Sequence, residues 1–282
     1  MQLYIGCSDF PRDKKAFYRT ATAIEYRVGL FTPPKPSILQ AWAADMAAVN
    51  APTRSVWVAW QAFTHRIGDI RKGAKLKLLP GENAAHLGHF QKTDENMRVW
   101  TRIKEQAVNV GASRILLETT AGFTPSTANR NALTDFAKNW AKLPDDMRLV
   151  WHPAGFWERE EAAALAADLG IILAIDPLVD EKEALPDDRE AYFQMLGRHG
   201  LLDSYSDDDL ERILDVASCY EEATIVFRTR DSLGDAERLT KLSKVYTPDF
   251  ERYAEFDAFD DEDDFDDDAF DDDDDFDDDD EL

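Results

Sequence analysis

Cysteine is nearly absent: the 282 residues contain two, Cys7 and Cys219. No C-x-x-C pair or ladder of cysteine spacings occurs, which argues against a disulfide framework or structural zinc site and for a reducing cytoplasm. Long apolar runs are missing too. No stretch approaches the roughly 20 residues needed to span a bilayer, and residues 1–30 lack a basic stretch followed by an apolar core, so no secretory signal is expected. Basic residues are in short supply, 32 Lys+Arg against 57 Asp+Glu. That balance argues against direct binding of nucleic acid, whose phosphates demand a basic surface, and against attachment to anionic membranes. A glycine-rich G-x-G-x-x-G turn is also lacking, which weakens a dinucleotide-binding reading.

The charge that is present is unevenly placed. Residues 251–282 hold 21 Asp+Glu and the single base Arg252, a net of −20, while the preceding 250 residues carry only −5. Phe256, Phe259, Phe265, Phe270 and Phe276 are each embedded in aspartate. Such a run repels itself and cannot pack a core, so residues 248–282 are expected to be a disordered acidic tail on a globular domain spanning 1–247. A polyanion with aromatic anchors also imitates single-stranded nucleic acid, and so suits a basic protein partner or the basic connection of its own domain.

Within 1–247, short apolar or β-branched runs predict strands at Leu3–Gly6, Ala23–Tyr26, Val56–Trp60, Ile115–Glu118, Leu149–His152, Ile171–Ile175, Tyr192–Leu196 and Thr224–Phe227. Several are continuously apolar, as parallel strands buried on both faces should be. Amphipathic helices are expected between most of them. One opens at Ser37 with Ile38, Trp42, Met46 and Val49 inward; one is capped by Asp94 with Met97, Trp100, Ile103 and Ala107 inward. Others carry Leu133, Phe136 and Trp140; Ala162, Leu165 and Leu169 before Gly170; and Leu210, Ile213 and Leu214 after Ser206. Ser232 with Asp235 resembles a capping box ahead of Leu239 and Leu242. Eight strands alternating with helices over this length predict an α/β fold, a single (β/α)8 TIM-type barrel, with an open doubly wound sheet as runner-up. One connection, 61–93, is unusually long and carries Arg66, Arg71, Lys72, Lys75, Lys77 and Lys92; it is either a solvated loop or a lid at the C-terminal face.

Particular residues then carry a resemblance. Gly6-Cys7-Ser8 after strand one, Ile24-Glu25, Phe63-Thr64-His65, His152-Pro153, Asp176, Gly197, Tyr205 and Val226-Phe227 with Asp231 follow one another in an order that resembles the YecE-like family, classed as domain of unknown function 72. The resemblance runs from Leu3 to Val245 and implies a TIM-type barrel without an established activity. Departures cluster at the strand ends. Asp9 and Phe10 stand where the family has Gly and Trp, Glu118-Thr119-Thr120-Ala121 replaces Q-L-P-P, and Leu149-Val150-Trp151 precedes His152-Pro153 where Glu and Arg are usual. Gln194-Met195-Leu196-Gly197 replaces R-L-H-G, and Arg228-Thr229-Arg230-Asp231 replaces F-N-N-D.

Barrel active sites sit at the C-terminal ends of the strands. Ser8, Arg27, Gln61, His65, Glu118, His152, Asp176, Gln194, Arg228 and Arg230 are the polar groups expected there. Glu118, His152 and Asp176 end three successive strands and are the candidate catalytic set, suited to acid/base work or, as one imidazole with two carboxylates, to a divalent metal. Against this, His152 could be held by a local hydrogen bond and Asp176 could cap its own turn. Ser8, Arg27, His65, Arg228 and Arg230 are candidate ligand-binding groups; arginines bind phosphate or carboxylate bidentately. Cys7 is a weak candidate nucleophile, since lone buried cysteines are usually packing. No cofactor is identifiable. Two functions remain open: a non-catalytic binding or scaffold barrel that presents the acidic tail, and an enzyme acting on a small anionic or phosphorylated ligand. A mouth plugged by Trp60, Trp151 and Leu196 would favour the first.

Overall fold

The computed structural model describes residues 1–10, 14–31, 34–49, 51–70, 83–180, 185–197 and 204–247. All of them belong to the unit Met1–Pro248; a second unit, Asp249–Leu282, lies outside the described residues, as do Arg71, Lys72, Lys75 and Lys77 of the basic connection.

Eight strands, β1 (Gln2–Ser8), β2 (Ala23–Tyr26), β3 (Arg54–Val58), β4 (Arg114–Glu118), β5 (Arg148–His152), β6 (Ile172–Ile175), β7 (Glu190–Met195) and β8 (Glu222–Phe227), form a closed barrel in chain order. Every pairing is parallel, including β8 against β1. The barrel expected from the alternation is therefore the one observed. Five strands begin one or two residues earlier than apolar composition alone indicates, each on a charged residue: Arg54, Arg114, Arg148, Glu190 and Glu222.

Alternation along each strand sorts side chains into barrel interior and helix-facing exterior. Val56, Val58, Leu116, Val150, Ile172, Ala174, Tyr192 and Val226 make the middle of the interior. Each fully buried Val, Leu or Ile side chain contributes about 2 kcal/mol. The outward set, including Trp57, Trp151 and Phe193, is buried under the helices. Gly6 permits the tight β1–β2 approach, since a Cβ there would fall 1.8 Å from the Ala23 carbonyl oxygen.

The helices are α1 (Lys14–Thr20), α2 (Val28–Phe31), α3 (Pro36–Ala47), α4 (Gln61–Thr64), α5 (Asp94–Asn109), α6 (Thr127–Asp135), α7 (Arg159–Leu169), α8 (Asp207–Ala217) and α9 (Ser232–Leu242). Ser206 and Asp209 form the capping box of α8, and Gly170 ends α7 in the left-handed conformation at φ 64°. Some expected faces and caps are corrected. In α3 the buried residues are Leu39 and Met46, with Ile38 exposed; in α5, Met97 is exposed and Val99 takes its place inward. Thr93 rather than Asp94 caps α5, and Asp231 caps α9. Asp235 instead accepts from the Thr229 hydroxyl at 2.6 Å and the Tyr205 N–H at 3.1 Å. Of the described parts of the long connection, 61–64 and 87–90 are buried, whereas Arg66, Ile67, Gly68, His86 and Lys92 are exposed. Phe90 is buried and joins Phe63, Trp100 and Phe136 in an aromatic cluster with ring centroids 4.8–5.5 Å apart. Among the described residues no helix is long and apolar enough to cross a membrane.

Candidate functional site

The interior-facing residues at the C-terminal strand ends form a single polar network centred on Glu25. This carboxylate is 0% exposed, although it lies in an otherwise apolar strand. Ser8 Oγ donates to its Oε1 at 2.9 Å, Tyr192 OH to Oε2 at 2.7 Å, Gln194 Nε2 to Oε2 at 3.0 Å and Arg228 Nε to Oε1 at 3.1 Å. Contacts from β2 to β7 and from β2 to the end of β8 run through the barrel interior. A buried carboxylate without such donors would be severely destabilising.

Arg228 extends the network across the mouth, its Nη2 donating to Glu118 Oε1 at 2.6 Å. Arg27 holds the other oxygen, with Nη2 2.9 Å from Glu118 Oε2. Glu118 is thus clamped between two guanidinium groups that come from the ends of β2 and β8, which flank β1 in the closed barrel. Burial alone would raise its carboxyl; the charges of Arg228 and Arg27 outweigh burial and bring it down to about 2. For Arg228, burial acts downward and the carboxylates of Glu25 and Glu118 prevail, keeping it protonated. The clamp is tighter on one side than the other: the Arg228 side chain is 13% exposed and that of Arg27 is 33% exposed.

His152 pairs in register with Glu118 across β4 and β5. Burial lowers its imidazole to about 4, against the pull of Glu118 and with the help of Arg228, so the ring is neutral at physiological pH. Among the described residues its ring nitrogens have no hydrogen-bond partner. His65, after β3, is likewise lowered to about 4 by burial, with Glu118 and Asp69 opposing. Its Nδ1 lies 2.8 Å from the Thr64 hydroxyl. Next to it Asp69 accepts from Thr120 Oγ1 at 3.1 Å and contacts His89 Nε2 at 3.1 Å, continuing the polar track over β4. Phe31, Ile67, Phe156 and Val179 stand exposed on the connections after β2, β3, β5 and β6, and so rim the same face.

The three residues proposed from sequence as a catalytic set are only partly assembled. Glu118 and His152 are neighbours, whereas Asp176 turns into its own loop, accepting from the Leu178 N–H at 3.1 Å. Burial raises Asp176 to about 6, with the nearby Asp180 adding to it. Among the described residues no group of three or more His, Cys, Asp or Glu side chains is placed to hold a metal ion. Of the expected ligand-binding set, Ser8, Arg27, His65 and Arg228 face the mouth, while Arg230 is exposed beyond the end of β8. Cys7 faces the helix layer, where burial lifts its thiol to about 12 and Ser232 is its hydrogen-bonding neighbour. Trp151 is no plug: its ring packs edge-on against Trp157 at 4.9 Å and its indole N–H donates to Thr119 Oγ1. Sequence reasoning missed Glu25 and Tyr192 as site residues. The signal for Glu25 was an acid in the middle of the run Ala23-Ile24-Glu25-Tyr26.

No protein-family model matches the sequence, and no curated protein matches it either. Solved structures do match. A DUF72 family protein from Enterococcus faecalis superposes with a TM-score of 0.60 at 11% identity, over 87% of this chain and 98% of that one. A DUF72 family protein from Thermotoga maritima gives 0.54 at 17% identity, over 87% and 99%. Endonuclease IV from Thermus thermophilus gives 0.51 at 11% identity, over 86% and 98%. These identities speak to architecture alone. The chain has the closed eight-stranded barrel fold shared by the solved DUF72 proteins.

Proposed function

We propose that this chain is a divergent YecE-like barrel of the cytoplasm whose C-terminal mouth binds a small anionic ligand. One observation carries the reading. Arg27 and Arg228 share a single carboxylate, Glu118, and among the described residues the Nη1 corner of each guanidinium has no hydrogen-bond partner. Partly buried arginine N–H groups left without a protein acceptor are the ordinary recognition element for carboxylate or phosphate. The neutral imidazole of His152, unpartnered among the described residues, supplies a further contact beside them. Binding, rather than turnover, is the reading favoured here, because the carboxylates best placed for acid/base work, Glu25 and Glu118, are each held by arginine.

Native mass spectrometry of the full chain against a panel of small carboxylates, phosphates and neutral sugars tests this directly. Anions should be retained by the wild type and lost in Arg27→Ala. Retention of neutral sugars with no anion bound would refute the reading. Incubation of a retained anion with the protein, followed by product analysis, separates a binder from an enzyme.

A second role rests on the sequence of residues 251–282, where 21 acidic residues surround five phenylalanines in a stretch with one base. That composition suits a basic protein partner, with the barrel as its carrier. A chain lacking 251–282 should lose salt-sensitive capture of a polybasic protein such as lysozyme; equal capture at low salt with and without the segment would overturn it.

A further inference from the structure

The charge and hydrogen-bond pattern of the mouth narrows the class of ligand, an inference that rests on the anion-site reading above. Three features bear on it. The first is geometric. Arg27 and Arg228 grip the two oxygens of the same Glu118 carboxylate through their Nη2 atoms, at 2.9 and 2.6 Å. Each keeps an Nη1 corner that has no hydrogen-bond partner among the described residues.

The second is charge. Two guanidinium groups, Arg27 and Arg228, face two carboxylates, Glu25 and Glu118, so the network is neutral before a ligand arrives. A phosphate dianion would bring two uncompensated charges into a largely desolvated mouth. A monocarboxylate brings one, and the adjacent imidazole can offset it by taking up a proton.

The third is the imidazole itself. His152 stands in register with Glu118 and faces Glu118 from β4, Arg228 beyond β8, Glu25 from β2 and Arg159 from α7. As a neutral ring without a partner among the described residues it offers one donor and one acceptor nitrogen. A hydroxyl on the carbon next to a bound carboxylate would be the group to meet it. Deeper in the same network, the Gln194 side chain is oriented by Glu25, and its Oε1 is buried without a partner. The amide nitrogen is held by the Glu25 carboxylate, so the oxygen faces away from it and is available to a ligand hydroxyl or a bound water.

We propose that the ligand class is a small 2-hydroxy monocarboxylate, its carboxylate on the free corners of Arg27 and Arg228 and its hydroxyl on His152. Lactate, propionate and inorganic phosphate, titrated calorimetrically into the full chain at pH 7.5 and pH 6, form the test. Lactate should bind about tenfold more tightly than propionate, the worth of one hydrogen bond, and phosphate more weakly than either. Lactate binding should take up protons at pH 6, seen as a dependence of the heat on buffer ionisation enthalpy. In His152→Gln, with folding checked by circular dichroism and thermal melting, proton uptake should vanish and lactate and propionate should converge.

Propionate equal to lactate in the wild type, or phosphate tighter than both, would overturn the hydroxy-acid class. If those anions were still lost in Arg27→Ala, the anion site itself would stand. Absence of binding by all three anions to the folded wild type, together with a panel that yields no other anion, would refute the class and the underlying reading together.

Discussion

The two ends of the barrel interior hold the same chemistry and treat it differently. At the N-terminal end Arg54, Arg114 and Arg148 all converge on Glu190. Arg114 Nε lies 2.7 Å from Oε1, Arg148 Nη1 lies 3.3 Å from Oε2, and Arg54 Nη1 also donates to Oε1. Glu222 takes Arg54 Nη2 at 2.7 Å, Asp188 takes Arg148 Nη2 at 2.7 Å, and the Ser113 carbonyl takes Arg114 Nη1 at 2.6 Å. The aromatic ring of Tyr4 closes against the Arg54 guanidinium at 4.0 Å. At that end every guanidinium has a carboxylate partner. At the C-terminal end two arginines and two glutamates are paired as closely, yet guanidinium corners, an imidazole and an amide oxygen are left over. Charge burial alone therefore does not mark a functional site; leftover hydrogen-bonding capacity next to it does.

Glu190 separates the two ends of the barrel most sharply. Glu190→Gln leaves the two buried guanidinium groups of Arg54 and Arg114, and the one-third-exposed Arg148, short of a charge and should destabilise the barrel by about 3–5 kcal/mol, lowering the melting midpoint by about 10 °C. Anion binding by the fraction that folds should be unchanged. Unaltered stability with lost binding would mean that the functional end had been misassigned.

Acidification probes the other end. His65 and His152 both titrate lower in the folded chain than the ordinary 6.5. The unfolded chain therefore binds protons first, and stability falls as pH drops from about 6.5 toward 4, by at most about 1.4 kcal/mol per pH unit for each ring. Glu118, lowered to about 2, adds its own loss only below the normal carboxylate range. Urea unfolding at pH 7, 5.5 and 4.5 should show this slope, and the double variant His65→Gln/His152→Gln should flatten it. A wild type with no slope would place both rings in solvent.

Arg27→Ala should divide the two properties in the opposite sense from Glu190→Gln. Its side chain is a third exposed, so stability should change by no more than about 1 kcal/mol, while anion affinity falls at least about tenfold. At the small end, Lys138→Ala removes an ion pair to Asp168 in which both side chains are exposed. It should shift stability by less than about 0.5 kcal/mol and leave binding alone; a larger effect would show that surface pairs matter more here than either buried cluster implies.

The barrel was legible because its strands are apolar on both faces, a pattern few other folds require. What composition concealed was the charged first residue of β3, β4, β5, β7 and β8. Arg54, Arg114 and Arg148 read as flanking polar residues, because the acid that draws them inward comes from β7, far along the chain. The spacing was nonetheless visible: Arg54-x-Val56, Arg114-x-Leu116 and Arg148-x-Val150 each set an arginine in phase with the inward apolar residue. The site was half legible. Glu118, His152, Arg27 and Arg228 follow from their position at strand ends, whereas Asp176 does not, since Asp176-Pro177-Leu178 is a turn whose first carboxylate is taken by its own backbone. The exposed Ile38 and Met97 were misplaced for a simpler reason. A helical face read from apolar spacing is ambiguous by one residue when Leu39 or Val99 lies alongside.

The lower arginine cluster also sets an order of events. Glu190 contacts partners 136, 76 and 42 residues earlier in the chain. These contacts need the loops between β3 and β7 to have closed, so the cluster is expected on the late side of the folding barrier, with Glu190→Gln speeding unfolding and leaving the folding rate nearly unchanged in stopped-flow measurements. Contacts that form after the transition state leave the folding rate nearly untouched and slow the escape from the native state. On that order the plug at the base of the barrel would act as a kinetic lock, governing how long a folded molecule lasts more than how quickly one is made.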